Sequence, residues 1–320
     1  MKRISLVLFF CLSVLSAFPQ AMPRLKTGDT IAIVAPASAV TPEQVEPAVE
    51  YLQQRGFRVL LSPMLYEQAE GFAGTVPQRV AAFQEMLDRP GVKAILCARG
   101  GYGTVAIIDS LDFSAFRQHP KWICGYSDVT VLLSHLHTLG YPALHSVMPI
   151  GTRAWQPGNI YAASFLNALK GKMLHYKFEA SPLNRTGMVT APVVGGNLSL
   201  LYSLLGSVSD IDTDGKILFI EDVDENIYHI DRMLRALDRA GKLKNLKGVI
   251  VGGMTKITVS DYYQNHDAYS LIAEILGKYN YPVCFGFPAG HGGQNYALPM
   301  GETATLKVSE GGCSLIFRRN

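Results

Sequence analysis

Short apolar runs alternate with longer stretches of helical spacing along residues 30–139. The apolar runs predict strands at 30–35, 57–61, 93–97 and 122–124. The stretches between and after them predict helices at 42–55, at 76–87, in the segment ending at 108 and at 129–139. Strands that alternate with helices are typical of a parallel sheet covered by helices on both faces. This part of the chain therefore predicts a doubly wound α/β domain.

The second half has a similar pattern after a less regular segment at 151–188. That segment contains a predicted helix at 160–169. After it, helices are predicted at 198–205, 228–240 and 269–276, and strands at 216–220, 248–252, 282–285, 304–308 and 314–317. We predict a nucleophile domain at 22–150, a linker at 151–188 and a smaller C-terminal α/β domain at 189–320. Because side chains that act on ligands gather beyond the carboxyl ends of parallel strands, each strand-to-loop junction is a candidate site.

The first 21 residues have the pattern of a secretory signal peptide. Lys2 and Arg3 precede an apolar run at 4–14 that is too short to span a membrane, and small and turn-forming residues follow it. A buried N-terminal helix is the alternative. The pattern predicts export, to the periplasm, whereas an uncleaved segment predicts a cytoplasmic protein.

Composition narrows the classes of partner. The chain is 48% hydrophobic and 17% charged, as expected for a globular protein. Loss of Lys2 and Arg3 with the signal would lower the formal charge from +3 to +1, which does not favour binding to nucleic acid or to an anionic membrane. The cysteines outside the N-terminal segment lie far apart without a CxxC motif, so they suggest neither a zinc site nor a redox motif; they are Cys97, Cys124, Cys284 and Cys313.

The segment Gly125-Tyr126-Ser127-Asp128 lies between a predicted strand and a predicted helix. A serine on such a turn is how many α/β enzymes present a nucleophile, with the helix N-terminus behind it. A serine before a helix is also the usual N-cap. The four residues alone leave both interpretations open.

A serine nucleophile needs a histidine as base and a carboxylate that orients the histidine. His291 lies among small residues after a strand, and Glu221 follows the apolar residues of another strand. Their alternatives are a surface histidine and a solvated acidic cluster, because Asp222, Asp224 and Glu225 come next. That cluster could also hold Mg²⁺, although it lacks the spacing of an EF-hand.

The glycine-rich loop at 99–103 could supply backbone N–H donors to an oxyanion, as could Asp128. Phosphate binding and a purely structural turn are the alternatives for this loop. Arg99 is a candidate for a substrate carboxylate, since guanidinium groups bind carboxylates bidentately.

Six motifs in this order resemble the LD-carboxypeptidase family of serine peptidases, which also contains the microcin C self-immunity proteins. They are Gly28-Asp-Thr-Ile-Ala-Ile-Val-Ala-Pro-Ala-Ser38, Ala98-Arg-Gly-Gly-Tyr-Gly103, Gly125-Tyr-Ser-Asp128, Gly195-Gly-Asn-Leu198, Leu218-Phe-Ile-Glu-Asp222 and Gly290-His291-Gly292.

The resemblance implies a nucleophile at Ser127, an acid at Glu221, a base at His291, and oxyanion donors on the backbone of Gly101 and Asp128. It also implies a site between the two domains, no metal and no cofactor. Substrate contacts are predicted for Arg99, Tyr102 and Asn197, which belong to these motifs.

The implied activity is hydrolysis of the L,D-peptide bond to the terminal D-alanine of murein tetrapeptides, in cell-wall turnover. A homodimer is a further expectation from the resemblance. The chain departs from the family at His145-Ser146-Val147-Met148-Pro149, where many members have His-Gly-Pro-Met, and in its predicted signal peptide. Two alternatives are a hydrolase of a peptidyl-nucleotide antibiotic and an exported non-catalytic protein that binds wall peptides. The second predicts that Ser127, Glu221 and His291 lie too far apart to interact.

Overall fold

The computed structural model describes residues 22–318, so the predicted signal peptide lies outside the described residues. Within 22–318 the strands are β1 (Thr30–Val34), β2 (Arg58–Leu61), β3 (Val92–Cys97), β4 (Trp122–Gly125), β5 (Ala143–His145), β6 (Leu174–Phe178), β7 (Gly187–Asn197), β8 (Ile217–Val223), β9 (Gly248–Thr255), β10 (Val283–Phe285), β11 (Leu298–Met300), β12 (Thr303–Ser309) and β13 (Gly312–Phe317). The α-helices are α1 (Pro42–Gln53), α2 (Val76–Asp88), α3 (Ser114–Gln118), α4 (Thr130–Thr138), α5 (Ile160–Leu169), α6 (Leu198–Ser203), α7 (Ile227–Arg239) and α8 (Ala268–Leu276).

The strands form two sheets. The first has the order β11-β5-β4-β3-β1-β2, with β1 to β5 parallel and β11 antiparallel to β5. The second has the order β10-β9-β8-β7-β12-β13-β6, in which β7 to β10 are parallel and the other pairs antiparallel. The predicted α/β class with a parallel N-terminal sheet is confirmed.

Local sequence explains where the helices begin. Pro42 and Pro77 stand in the first turns of α1 and α2, where a missing N–H costs nothing. Thr75 caps α2, and the side chain of Gln78 accepts a hydrogen bond from the Thr75 N–H at 2.8 Å. Helix α7 buries Ile227, Ile230, Met233, Leu234 and Leu237, which lie at helical spacing along one face.

Several predictions of local structure were wrong. The helix predicted to end at 108 is two 3₁₀ turns, Thr104–Ala106 and Ile108–Ser110. In the segment at 151–188 the helix predicted at 160–169 is confirmed as α5, but β6 was not predicted; it pairs with β13 at the edge of the second sheet. Strand β8 continues through Val223, so Glu221 lies inside the strand instead of at its end.

The crossover from the second sheet to the first at β10–β11 positions the site. The chain leaves the second sheet at the end of β10, passes through His291 and enters the first sheet as β11. The carboxyl ends of β4 and of β8 face the same region, since Ser127 and Glu221 both contact His291.

All four cysteines of residues 22–318 are buried and unpaired, in accordance with small core residues. No helix in this range is long and apolar enough to span a bilayer.

Candidate active site

Ser127 lies on a strained turn just beyond β4. Its φ of +62° falls in the left-handed region, which a non-glycine residue rarely adopts. Gly125 makes the turn possible, because a Cβ there would approach the Val129 side chain to within 2.9 Å. The Ser127 hydroxyl caps no helix: α4 begins after Val129, and Tyr126 precedes the 3₁₀ turn Ser127–Val129. The N-cap interpretation of Ser127 is therefore wrong.

The three residues predicted as a triad are joined by hydrogen bonds. His291 Nε2 lies 3.0 Å from Ser127 Oγ, and His291 Nδ1 lies 2.7 Å from Glu221 Oε2. A carboxylate accepts and does not donate, so Nδ1 carries the proton and Nε2 is free to accept one from the serine. The arrangement contradicts the interpretation as a binding protein, which requires these groups to lie apart.

Burial strengthens this contact. The Glu221 side chain is fully buried, whereas the His291 side chain is 18% exposed and so open to a substrate. The charge of a carboxylate excluded from water acts at low dielectric on its partner. Gly290 allows the close approach, because a Cβ there would come within 2.6 Å of Glu221 Oε2.

The glycine-rich loop lies directly against the nucleophile. A Cβ on Gly100 would lie 3.2 Å from both Ser127 Oγ and the Asp128 nitrogen. Asp128 holds the other end of the loop, because its Oδ2 accepts a 2.8 Å hydrogen bond from the Thr104 N–H. Within residues 22–318 the N–H groups of Gly101 and Asp128 donate no hydrogen bond, so both are available to a ligand.

Two of the residues predicted to contact substrate have side chains that form hydrogen bonds within the protein. Arg99 is half-buried and donates to the Ala39 carbonyl at 2.9 Å. Asn197 is 2% exposed; its Nδ2 donates to Asp222 at 2.9 Å, and its Oδ1 accepts from Ser199 and Leu200. The structure gives Asn197 the role of an N-cap for α6. Tyr102 is 65% exposed, and its ring centroid lies 6.2 Å from that of Phe72.

A cavity of about 430 Å³ adjoins His291, and its wall contains a cation, Arg153, that the sequence did not predict as a site residue. The wall also includes Tyr126, Met148, Gly290 and Asn295, and Arg153 is the lining residue with a permanent positive charge. The Arg153 side chain is exposed and has no partner among residues 22–318. Its segment has neither a motif nor clear periodicity, so nothing in the sequence pointed to it.

Two carboxylates of the acidic cluster after Glu221, Asp222 and Glu225, are held by contacts within the protein. Asp222 accepts hydrogen bonds from Asn197, Ser199 and its neighbour Val223, and burial raises its pKa to about 7. Glu225 pairs with His229 at 2.7 Å. Among the residues described, no three His, Cys, Asp or Glu side chains are grouped as metal ligands.

Comparison with known proteins shows which family the chain resembles over most of its length. Residues 31–146 match the LD-carboxypeptidase N-terminal domain and residues 190–306 match the LD-carboxypeptidase C-terminal domain. The chain is 36% identical to a Bacillus subtilis protein named "Probable murein peptide carboxypeptidase", with 89% of this chain and 91% of that protein aligned. It is 30% identical to the murein tetrapeptide carboxypeptidase of Pseudomonas aeruginosa, over 87% of this chain and 92% of that one.

A solved structure agrees with the sequence comparison. The muramoyltetrapeptide carboxypeptidase from Oxalobacter formigenes superposes with a TM-score of 0.82 at 29% identity, covering 90% of this chain and 98% of that chain. The microcin C7 self-immunity protein MccF of Escherichia coli is 27% identical over 90% of this chain and 93% of its own length. The chain belongs to the LD-carboxypeptidase family.

Proposed function

We propose that this protein is a serine carboxypeptidase that removes the terminal D-alanine of murein tetrapeptides by hydrolysing an L,D-peptide bond. The continuous contact from Ser127 through His291 to Glu221 is the observation that carries the proposal. The names of the Bacillus, Pseudomonas and Oxalobacter relatives support the substrate class.

The reaction has two half-reactions. Ser127 Oγ attacks the scissile carbonyl carbon while its proton passes to His291 Nε2. The C–N bond breaks as His291 returns this proton to the departing amine of D-alanine, which leaves the peptide esterified to Ser127. A water that loses a proton to His291 then attacks the ester, and Ser127 regains the proton as the shortened peptide departs. Glu221 keeps the imidazole in the required tautomer and stabilises its positive charge.

Backbone donors stabilise the tetrahedral intermediates. The N–H groups of Asp128 and Gly101 are the proposed donors, and Gly100 leaves space between them and the serine. Each such donor typically contributes about a hundredfold to a thousandfold in rate.

The cavity beside His291 is the proposed site for the leaving group. A carboxypeptidase must recognise a free carboxylate, and Arg153, whose guanidinium has no partner among residues 22–318, is one of the residues that line this cavity. We therefore assign the carboxylate contact to Arg153 in place of Arg99, whose guanidinium is bound to Ala39.

Hydrolysis of a peptidyl-nucleotide, the activity implied for immunity proteins, would favour an aromatic ring free to stack on a base. Tyr126 is the aromatic side chain in the cavity wall, and its ring already lies 5.0 Å from His291 and 5.7 Å from His145. This packing leaves Tyr126 little freedom to stack on a base, whereas Tyr102 of the glycine-rich loop is 65% exposed. The preference for a murein peptide therefore rests on the names of the relatives.

Cellular location, oligomeric state and domain limits remain proposals from sequence. The pattern of residues 1–21 supports export to the periplasm, where murein lies, and the resemblance supports a homodimer. The proposed domains are residues 22–150 and 189–320, joined by 151–188.

The substrate assignment can be tested with three peptides that differ at the carboxyl end. The purified protein is incubated with a tetrapeptide ending in D-alanine, the same peptide ending in L-alanine, and a pentapeptide ending in two D-alanines. Release of alanine, followed by mass spectrometry, is expected from the first peptide alone. No release from it would refute the proposed activity, and equal release from all three would refute the L,D-specificity.

A further inference from the structure

His145 lies where the first sheet meets the loop that carries His291. It is the last residue of β5, paired with Gly125 of β4 on one side and with Leu298 of β11 on the other. Its imidazole is fully buried and packs edge-on against Phe219 of β8, at 5.0 Å between ring centroids. His145 thus contacts the strand before the nucleophile and the strand that carries Glu221.

Asn295 connects this histidine to the crossover between β10 and β11. Its Oδ1 accepts the Gly290 N–H at 3.1 Å and lies 2.9 Å from His145 Nε2. A backbone N–H can only donate, so the Asn295 atom that faces it is the amide oxygen. Because this oxygen only accepts hydrogen bonds, His145 Nε2 must carry the ring proton and donate it. Both contacts are buried, where an unmade hydrogen bond is costly.

Gly290 links the hydrogen bond from Asn295 to the catalytic histidine. It directly precedes His291, has a φ of +114° and packs against the Glu221 carboxylate. A shift of Gly290 therefore moves the imidazole relative to both of its partners. A displacement of about 1 Å at a reacting group can lower the rate about a hundredfold.

We infer that His145 is a positioning residue, which acts through Asn295 and Gly290 to hold the His291 imidazole between Ser127 and Glu221. The inference rests on the proposed function of this triad. Burial lowers the pKa of His145 to about 4, so the side chain stays neutral near pH 7 and keeps its Nε2–H as a donor.

Two substitutions of His145 separate positioning from packing. His145→Phe keeps a ring against Phe219 and removes the donor, whereas His145→Gln restores an N–H near the Nε2 position. We expect His145→Phe to lower kcat for D-alanine release about a hundredfold with KM changed less than threefold, and His145→Gln to recover most of kcat. His135→Phe is the matched control, because it removes a 2.9 Å side-chain hydrogen bond to Ser209. It should leave kcat unchanged.

A measurement without substrate keeps this test separate from the proposed function. The Nδ1 proton of His291, bound to Glu221, should give a low-field proton NMR resonance. The resonance should persist in His145→Gln and shift or vanish in His145→Phe and in Asn295→Leu, with the fold checked by circular dichroism. An unchanged resonance in a folded His145→Phe protein would overturn the inference, as would equal loss of kcat in the Gln and Phe variants. Failure of the wild-type protein to release D-alanine would instead count against the proposed function.

Discussion

Replacement of Glu221 by glutamine removes the charge next to His291 while preserving the shape of the side chain. Glu221 is fully buried, and its Oε2 lies 2.7 Å from His291 Nδ1. The neutral amide can offer its N–H₂ group to Nδ1, which would then place the ring proton on Nε2, facing Ser127. An imidazole in this tautomer cannot take the serine proton, and its protonated form loses its counter-charge.

The expected loss in kcat is about a thousandfold to ten-thousandfold, which corresponds to about 4–5.5 kcal/mol of transition-state stabilisation. The assay is the initial rate of D-alanine release from a murein tetrapeptide. Glu225→Gln is the matched control, since Glu225 also lies 2.7 Å from a histidine, His229, but its side chain is 23% exposed and lies outside the triad. It should change kcat less than twofold. If folded Glu221→Gln keeps more than a tenth of the wild-type kcat, the role given to this carboxylate is wrong.

Three further predictions concern the loop, the cavity and the buried histidine. Gly100→Ala should reduce kcat/KM at least a hundredfold, because the methyl group would lie 3.2 Å from both Ser127 Oγ and the Asp128 nitrogen; Gly91→Ala, where nothing lies within 4 Å, should behave as wild type in the same assay. Arg153→Ala should raise KM about tenfold or more for a peptide with a free terminal carboxylate and leave hydrolysis of its C-terminal amide unchanged; equal effects on the two would refute the carboxylate contact. The folded-state pKa of His145, about 4, lies below the unfolded value near 6.5, so its contribution to stability is present above pH 6.5 and lost as the pH falls towards 4. Between pH 7.5 and pH 5, urea unfolding should show that wild type loses about 2 kcal/mol more stability than His145→Gln, and parallel losses would contradict this.

The sequence predicted the elements with strong periodicity and missed those without it. Strands β5 and β11 have three residues each and were not predicted, whereas the equally short β10 lies in the apolar run predicted at 282–285. Their antiparallel pairing joins segments far apart in sequence, as the contact between His145 and Asn295 across 150 positions illustrates. Without β11 the crossover could not be predicted, although it determines where His291 lies.

The residues of the candidate site also fall into those that the sequence identified and those that it did not. Ser127, Glu221 and His291 could be identified because each lies near a strand end and within a motif of the family. The choice between a cap and a nucleophile needed the backbone conformation of Ser127 and the position of His291, which depend on packing between the sheets. The cation in the cavity, Arg153, lies in an irregular segment that gave no signal.

The motifs indicated where the loops lie but not what each polar side chain in them binds. Guanidinium chemistry suggested a substrate contact for Arg99, and Asn197 was a candidate within one of the family motifs. In the structure both side chains are bound to the protein itself, Asn197 to Asp222 and Arg99 to Ala39. A polar residue in a motif can serve the loop's own hydrogen bonds, and sequence alone does not separate this role from ligand binding.

The central claim is that Ser127, activated by His291 and Glu221, hydrolyses the L,D-bond. The most direct test compares D-alanine release from a murein tetrapeptide by the wild-type protein, Ser127→Ala and a matched control, Ser110→Ala, which alters an exposed serine. We predict that Ser127→Ala lowers kcat about ten-thousandfold or more and that Ser110→Ala retains the wild-type rate. Comparable release by wild type and Ser127→Ala would contradict the account.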